Sequence, residues 1–392
     1  MPKIIYSILD NDMYKINMQR VYFYRFSDVM GEFKFKCRSP NARFTKEMIA
    51  EINKQVNYLC DLTYTDEELA FLKAIWYHKD AVGFLEFLRF FRFNRDFIKI
   101  TEATDNCGIS IVAKGPLWAV SPFEIPVLAI VNEVYFKYTH PHDYCALHNS
   151  LKERFGRKIV EFQARPFSLT EFGTRRRLSF DAQDYVVDGL RTLVPQYLAG
   201  TSNVLLAMKY GIKPIGTFAH EYVCMPQGLS DCSLRNSQRY AWDQWCREYK
   251  GALGICLTDT LGQEKFERDF DRYWANMFTG LRHDSGDPHA WGERAIELYK
   301  QYDIDPATKT LMFSDSLNFD KCWELEDNFF GRVKTAYGIG TWLTNDTFDE
   351  PLNIVMKLVR VNDRPVAKLS NVETKANGDA EYVARLRGDI AN

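Results

Sequence analysis

The sequence predicts an α/β fold with a (β/α) barrel, and three observations lead to it. Between residues 167 and 341, short apolar runs repeatedly break off into small polar turns. A helical pattern follows most of these turns, at intervals of roughly 20–40 residues. The turns also carry arginines, carboxylates, a histidine and paired glycines, which suit a phosphorylated substrate at the active-site end of a barrel. They lie at residues 172–177, 200–203, 220–221, 258–259, 282–287, 314–316 and 338–341.

Composition bounds the kind of protein. A chain of 392 residues with 46% hydrophobic and 26% charged residues is typical of a globular protein of two or three domains. A net charge of −2 gives no global basic field, so no nucleic-acid or membrane partner is expected. Nine scattered cysteines without a Cys-x-x-Cys pair indicate reduced thiols rather than disulfides or a zinc ribbon. We find no signal-peptide core and expect no apolar stretch near the ~20 residues of a membrane span, which predicts a cytoplasmic protein.

The first part of the chain, to about residue 133, mixes helical and strand patterns. Helices are predicted at 13–26 and 81–91, strands at 31–37, 98–100 and 110–114, and an apolar bridging helix at 127–138. After residue 340 the barrel rhythm ends, and residues 354–361 and 365–369 look like paired strands around 362–364. We expect this C-terminal piece to return to the N-terminal domain.

Within the barrel region, local signals mark helix ends. Residues 214–219 and 333–336 are predicted as strands. The predicted helices are 182–193 capped by Asp181, 204–210 preceded by Asn203 and stopped by Gly211, and 291–302 opened by Asp287 and Pro288.

Three consecutive arginines, Arg175 to Arg177, cannot all face one way. At least one should point into the barrel mouth, because the planar guanidinium suits phosphate and carboxylate oxygens. Phe172 and Gly173 just before them suit an aromatic ligand, although a solvated basic turn would show the same run. The sequence does not settle which of the three enters the pocket.

Two further turns offer anion ligands. Gly338, Gly340 and Thr341 form a candidate phosphate nest after a strand, although two glycines also make a plain tight turn. In the turn at 282–287, Asp287 is best explained as a helix cap, which leaves Arg282 and Asp284 as functional candidates. Asp315 offers another carboxylate, or else caps the following helix.

His220 and Glu221 have two readings. The zinc motif His-Glu-x-x-His would need histidine where Cys224 stands, and the preceding strand pattern disfavours its helix. The other reading is a nucleophilic histidine whose ring Glu221 or Asp259 orients. A metallohydrolase built on His220 and Glu221 is therefore the weaker alternative.

Taken in order, these turns resemble those of the nicotinate phosphoribosyltransferase family, bacterial type. The resemblance runs over nearly the whole chain, and many ordered matches are specific in a way no single motif is. They are residues 7–15 (SILDNDMYK), 171–177 (EFGTRRR), 200–203 (GTSN), 216–221 (GTFAHE), 280–288 (GLRHDSGDP), 351–355 (PLNIV) and 366–370 (VAKLS).

The resemblance implies an irregular (β/α) barrel plus an α+β open-faced sandwich domain built from both chain ends. The expected domains are 1–133, completed by 350–392, and the barrel at 134–349. It also implies ATP-coupled transfer of phosphoribosyl from phosphoribosyl pyrophosphate to nicotinate, through a transient phosphohistidine. Mg²⁺ as cofactor, ATP as co-substrate and a homodimer with shared active sites follow from the same resemblance, which assigns no metal ligand.

Site residues carry over position by position. The resemblance implies that His220 is phosphorylated beside Asp259, and that Phe172 and the partner subunit's Tyr14 sandwich the pyridine ring. The remaining implied contacts are Arg175 and Arg282 to nicotinate and phosphate, Thr201 and Ser202 to substrate, Asp284 and Asp315 to ribose and pyrophosphate, Gly338, Gly340 and Thr341 to the 5′-phosphate, and Arg38 and Lys357 to phosphate.

Ser202 bears on the choice of base. Relatives that use nicotinamide carry aspartate at the matching place, and such a carboxylate would repel nicotinate, so serine favours the acid. The alternatives are the same fold acting on nicotinamide or quinolinate, or a non-catalytic barrel that binds a phosphosugar.

Overall fold

The computed structural model of the protein describes residues 1–370 and 378–391. Its strands form two sheets, one in the order β11-β10-β1-β3-β2 and one in the order β5-β4-β9-β8-β7-β6. The strands are β1 (Met30–Cys37), β2 (Ile98–Glu102), β3 (Ile109–Pro116), β4 (Leu169–Glu171), β5 (Leu198–Thr201), β6 (Ile255–Leu257), β7 (Gly280–His283), β8 (Thr310–Phe313), β9 (Lys334–Ile339), β10 (Ile354–Val361) and β11 (Arg364–Pro365).

Helices precede, separate and follow these strands along the chain. They are α1 (Met13–Arg25), α2 (Lys46–Cys60), α3 (Asp66–Ala74), α4 (Val82–Phe90), α5 (Leu117–Val120), α6 (Glu124–Thr139), α7 (Tyr144–Ala164), α8 (Phe180–Leu193), α9 (Val204–Tyr210), α10 (His220–Cys224), α11 (Ser237–Tyr249), α12 (Gln263–Asp269), α13 (Arg272–Met277), α14 (Pro288–Gln301), α15 (Phe319–Phe329), α16 (Thr341–Thr344) and α17 (Ala380–Ala391).

The six-stranded sheet has the strand order of a sequential barrel. Its resolved pairs are parallel, and its first strand, β4, neighbours its last, β9. The order breaks between β5 and β6, where Thr201 instead bonds the short segment around Pro214: its N–H donates to Lys213 O and its carbonyl accepts from Ile215 N. This break makes the barrel irregular, and the predicted α/β class is confirmed.

The predicted strand at 214–219 is wrong beyond the single bridge at Pro214. Proline cannot donate to a ladder, and Gly216 packs so closely that a Cβ there would lie 2.6 Å from Tyr14 N. The chain instead runs on to α10, which begins at His220.

Helix caps show where local prediction works. Asn203 accepts a hydrogen bond from Leu206 N, Asp287 accepts one from Ala290 N, and Gly211 ends α9 at a φ of +63°. The predicted cap Asp181 is wrong, because Ser179 accepts from Ala182 N and so starts α8 two residues earlier.

β10 and β11 form the expected antiparallel hairpin, and Asn362 and Asp363 at its tip both have positive φ. The second strand is shorter than predicted and ends at Pro365. The chain leaves the sheet there because Ala367 N donates to Gln227 Oε1 and Leu369 N donates to Thr260 O. Residue 368 thereby comes close to α10 and to the end of β6.

Contacts divide the chain into two compact units. The first comprises residues 1–28, 33–216 and 339–357, and the second comprises 29–32, 217–338 and the part from 358 onward. The predicted domains, 1–133 with 350–392 and 134–349, stay a prediction, and residues 371–377 and 392 of that scheme lie outside the described residues.

One helical stretch corrects an expectation from the sequence. Leu117–Thr139 is long enough and apolar enough to cross a membrane, so the expectation that no apolar stretch approaches this length is wrong. Its most apolar part is 94% buried inside the protein, which is the environment of a core helix.

Candidate active site

Polar side chains follow the barrel strands where each strand ends. In the second unit, Asp259 comes two residues after β6, Asp284 directly follows β7, and Asp315 comes two residues after β8. These strands are neighbours in one parallel sheet, so their carboxyl ends share an edge. The predicted placement of polar turns after these strands is confirmed.

His220 lies within this group. Its Nε2 is 2.7 Å from Oδ1 of Asp259 and 3.6 Å from Oδ2 of Asp284. The Ser285 hydroxyl donates to the other Asp259 oxygen at 2.6 Å, and Ser370 donates to Ser285 at 3.1 Å. The structure therefore records the carboxylate of Asp259, and not that of Glu221, within hydrogen-bond distance of Nε2 of His220.

Lys368 completes the cluster. Its ammonium lies 2.9 Å from His220 Nε2, 2.7 Å from Oδ2 of Asp259 and 3.7 Å from Oδ2 of Asp284. One ring nitrogen cannot both donate to Asp259 and accept from Lys368, so these two neighbours compete for Nε2.

Charge and burial set the protonation of this cluster. Burial first, and then the charge of Lys368, lower the pKa of His220, against the opposing pull of Asp259. Burial acts to raise the pKa of Asp259, but His220 and Lys368 together hold that pKa well below its usual range. These shifts favour a neutral imidazole beside an ionised carboxylate.

The same donors are the ones a metal ion could use. One ligand atom each from His220, Asp259 and Asp284 lies within 4.8 Å of the others, whereas Glu221 is outside this group of described residues. Mg²⁺ prefers oxygen and is commonly held by one or two carboxylates plus substrate phosphates. The two aspartates fit that mode, but Lys368 already neutralises Asp259, so the donor set does not resemble a closed zinc site.

Arg282 is directed by its neighbours. Its Nε donates to Ser314 Oγ at 2.8 Å, and its terminal nitrogen lies 3.3 Å from Oδ1 of Asp284. Burial acts to raise the pKa of Asp284, but His220, Arg282 and Lys368 lower it below the usual value. Asp315 is partly exposed and accepts from Ser316, while the next helix is capped by Asn318 rather than by Asp315.

A second cluster lies in the first unit, around Ser202. The Ser202 hydroxyl donates to Oδ1 of Asp12 at 2.7 Å. Asp12 stands at the N-cap position of α1 but makes no side-chain cap bond there. Burial raises the pKa of Asp12 in spite of Ser202, Thr174 and Arg175, which lower it. A carboxyl group therefore lies beside residue 202 even though that residue is serine. It belongs to Asp12, and burial favours its neutral form.

The three consecutive arginines lie in different environments. Arg177 is fully buried in a bidentate ion pair with Asp10, both N···O distances being 2.6 Å. Arg176 donates to Ile354 O and to Asn353 Oδ1. Arg175 keeps 36% of its side chain exposed and lies 3.9 Å from Glu124, which also pairs with Lys15 at 2.6 Å. Of the three, Arg175 therefore has the loosest recorded pairing.

The other candidates are placed as follows. Phe172, Tyr14, Arg38 and Lys357 are all partly exposed. Thr201 is fully buried, and its hydroxyl donates to Glu171 rather than outward. Gly338 lies inside β9 and not in a turn, whereas Gly340 and Thr341 stand at the start of α16. A Cβ at Gly340 would lie 2.8 Å from Phe172 O, so close backbone approach requires glycine there.

Sequence reasoning missed several members of these clusters. Lys368, Ser285 and Ser314 belong to the histidine cluster, and Asp12, Glu124 and Glu171 to the serine cluster. Ser285 and Ser314 lie in the predicted turns at 282–287 and 314–316, and Asp12, Glu171 and Lys368 lie in the matched segments 7–15, 171–177 and 366–370, but no role was predicted for these five residues.

A parallel sheet with barrel order, and carboxylates, a neutral histidine and cations after its strands, defines an α/β-barrel enzyme for anionic ligands. Comparisons with known proteins agree along the length of the chain. Residues 167–392 match the model of the nicotinate phosphoribosyltransferase (NAPRTase) family, and residues 9–132 match the NAPRTase N-terminal domain. The chain belongs to the nicotinate phosphoribosyltransferase family.

Individual relatives are similar over nearly their full length. The nicotinate phosphoribosyltransferase of Bordetella pertussis is 44% identical over 386 residues, covering 98% of this chain and 94% of the relative. That of Chromobacterium violaceum is 42% identical over 402 residues, covering 99% and 98%.

Solved structures show the same fold. The nicotinate phosphoribosyltransferase of Vibrio cholerae superposes with a TM-score of 0.93 at 36% identity, covering 100% of this chain and 95% of that one. The enzyme of Porphyromonas gingivalis gives 0.91 at 32% identity, covering 99% and 100%. The predicted fold class and family are confirmed.

Proposed function

We propose that this enzyme joins nicotinate to phosphoribosyl pyrophosphate, giving nicotinate mononucleotide and pyrophosphate, with ATP hydrolysed to ADP and phosphate. The reaction serves NAD biosynthesis from nicotinate. Membership of the family supports the transfer, and the observation that carries the ATP coupling is the neutral His220 held between Asp259 and Lys368.

The transfer step needs positioning more than covalent help. The pyridine nitrogen forms a bond to C1 of the ribose while the C1–O bond to pyrophosphate breaks. Positive charge develops on the ribose ring as the pyrophosphate departs. Arg282 is aimed by Ser314 and Asp284, so it can meet the departing phosphates without reorganising. Asp315 and Asp284 face the ribose and pyrophosphate, and Gly338, Gly340, Thr341, Arg38 and Lys357 bind phosphate.

ATP coupling runs through His220. A ring nitrogen attacks the γ-phosphorus, the bond between that phosphorus and the bridging β–γ oxygen breaks, and ADP leaves. Burial and Lys368 lower the pKa of His220, so the ring carries a lone pair at neutral pH. Lys368 also places a positive charge where the incoming phosphoryl group needs one. Water later attacks the phosphohistidine, releasing phosphate and restoring the ring.

Mg²⁺ is the proposed cofactor. Asp284 and Asp259 would share the ion with substrate phosphate oxygens, and the ion would neutralise phosphate charge. Asp284 is the better candidate because Asp259 already bonds Ser285, His220 and Lys368.

The base is proposed to bind in the serine cluster. Phe172 and the partner subunit's Tyr14 stack on the pyridine, Arg175 meets the nicotinate carboxylate, and Ser202 lines the subsite, with the buried Thr201 supporting that turn through Glu171. This assigns a homodimer with shared active sites. We place the enzyme in the cytoplasm, which the free thiols of its nine cysteines support.

One assay tests the proposal: nicotinate mononucleotide formation with and without ATP, for the wild type and His220→Ala. We expect ATP to raise product formation in the wild type and to have no effect in His220→Ala. Product that ignores ATP in both would keep the transferase and remove the coupling. Nicotinamide and quinolinate in place of nicotinate test the rival bases. No product from any base would leave a silent phosphosugar-binding barrel, recognised by phosphoribosyl pyrophosphate raising Tm without turnover.

A further inference from the structure

Glu171 links two turns of the first unit that the preceding argument treats separately. It ends β4, is fully buried, and stands directly beside Thr201 in the parallel pairing of β4 with β5. Its Oε2 accepts from the Thr201 hydroxyl at 2.5 Å, and its Oε1 accepts from Gly173 N at 2.5 Å. Its main-chain oxygen accepts from Ser202 N at 2.9 Å. One residue therefore holds the Phe172–Gly173 turn and the Thr201–Ser202 turn together.

The carboxylate of Glu171 is closely packed by its neighbours. A Cβ at Gly173 would lie 2.7 Å from Oε1 of Glu171, so only glycine lets the turn approach this closely. Gln183 on α8 donates from Nε2 to both carboxylate oxygens at 3.0 Å. The amide of Gln183 is itself oriented, because its oxygen accepts from Arg177 at 3.0 Å.

Every group that touches the carboxylate donates a hydrogen bond to it. The ionised form can accept all of them, whereas a protonated oxygen or an amide nitrogen would face the Gly173 N–H at the Oε1 position, or force the Thr201 hydroxyl to change from donor to acceptor at the Oε2 position. Burial raises the pKa of Glu171 to about 7, with the charge of Asp12 adding to the rise and the donated hydrogen bonds opposing it. The charge of Glu171 contributes to the raised pKa of Arg177, which pairs with Asp10.

We propose that Glu171 is a positioning residue whose carboxylate sets the spacing of the Phe172 and Ser202 turns and so aligns the two sides of the nicotinate subsite. It touches no substrate and acts through Phe172, Thr201 and Ser202. The proposal rests on the proposed function, because the binding of nicotinate at these turns is part of it.

The test measures nicotinate KM, phosphoribosyl pyrophosphate KM and kcat from pH 6 to 8.5. Glu171→Gln keeps the size of the side chain but faces a donor with an amide N–H. We expect its nicotinate KM to rise about tenfold at pH 8, with kcat and the other KM within about twofold. Thr201→Val, which removes one of the links, should change the same parameter in the same direction.

The pH profile supplies a readout that lost stability would not move. Wild-type nicotinate KM should rise below about pH 7, where Glu171 gains a proton and one link is lost, while Glu171→Gln should keep its raised KM at every pH. A pH dependence that persists in Glu171→Gln would assign the titration to Asp12 and overturn this part of the proposal.

Glu133→Gln is the matched control. Glu133 is also a buried carboxylate with a raised pKa, but it pairs with Lys137 on its own helix. Its replacement should leave both KM values unchanged. Equal rises in both KM values for Glu171→Gln, or no rise, would overturn the positioning role while leaving the proposed function standing. Absence of product from the wild type would overturn both.

Discussion

Lys368 holds its ammonium 2.9 Å from Nε2 of His220. The two residues are 148 positions apart in the chain and meet because residues 366–369 leave the β-hairpin. Burial lowers the pKa of the His220 ring most, and the charge of Lys368 lowers it further. Lys368 and His220 each contact one oxygen of Asp259 at 2.7 Å. The availability of a nucleophilic lone pair on His220 thus depends on a cation from the far end of the chain.

Lys368→Met should make phosphorylation of His220 sensitive to acid. Removing the ammonium raises the pKa of His220, so at pH 6.5 the ring gains a proton and loses its lone pair. We expect acid-labile label from γ-labelled ATP to form more slowly than in the wild type at every pH, because a cation near the phosphoryl group is lost, and the deficit to be about tenfold larger at pH 6.5 than at pH 8.5. Lys209→Met, which breaks a surface pair with Asp184, is the control. Identical pH profiles for Lys368→Met and wild type would count against this role.

Mg²⁺ removal should stop the transfer without unfolding the protein. A chelator should abolish nicotinate mononucleotide formation, and added Mg²⁺ should restore it, because phosphate charge must be neutralised as pyrophosphate leaves. Asp284→Asn should raise the Mg²⁺ concentration for half-maximal rate about tenfold. Full activity in chelator would contradict the Mg²⁺ requirement, and restoration by Zn²⁺ but not by Mg²⁺ would contradict the choice of metal.

Ser202→Asp should reverse the preference for base. The new carboxylate would stand beside Asp12, which already accepts from Ser202, and would repel the nicotinate carboxylate. We expect the ratio of kcat/KM for nicotinate to kcat/KM for nicotinamide to fall about a hundredfold. Ser202→Ala, which adds no charge, should keep the preference for nicotinate. If both variants behave alike, Ser202 does not discriminate by charge.

The buried pair of Arg177 and Asp10 should contribute strongly to stability. Both side chains are fully buried, so removing one partner leaves an uncompensated charge. Arg177→Met should lower the free energy of unfolding by about 3–5 kcal/mol in denaturant titration. Arg191→Met, which breaks the exposed pair with Asp188, should cost below about 1 kcal/mol. A loss of similar size in both variants would contradict this assignment.

Sequence reasoning succeeded where the signal is local. The caps Asn203 and Asp287, and the polar turns after β6, β7 and β8, follow from a few neighbouring residues, and the structure has them. Asp181 was misplaced because Ser179, two residues before it, offers an equally good cap in the same stretch.

The site could be predicted from the sequence only in part, because some of its contacts join residues that are far apart in the chain. Asp259 and Asp284 follow neighbouring strands of one barrel, so their meeting follows from the fold, whereas His220 joins them from the start of α10. The contact of Ser202 with Asp12 spans 190 residues, and that of Lys368 with His220 spans 148. Such contacts depend on where two loops cross in space, and no local pattern encodes that.

The strand order β11-β10-β1-β3-β2 has a consequence for synthesis of the chain. β1 begins at Met30, whereas its neighbour β10 ends at Val361, so the ribosome makes most of the protein before this edge of β1 can pair. Until then β1 presents unpaired N–H and C=O groups to other nascent chains. Completion of this sheet therefore comes late in synthesis, and a chain that still lacks β10 has an edge of β1 that invites aggregation.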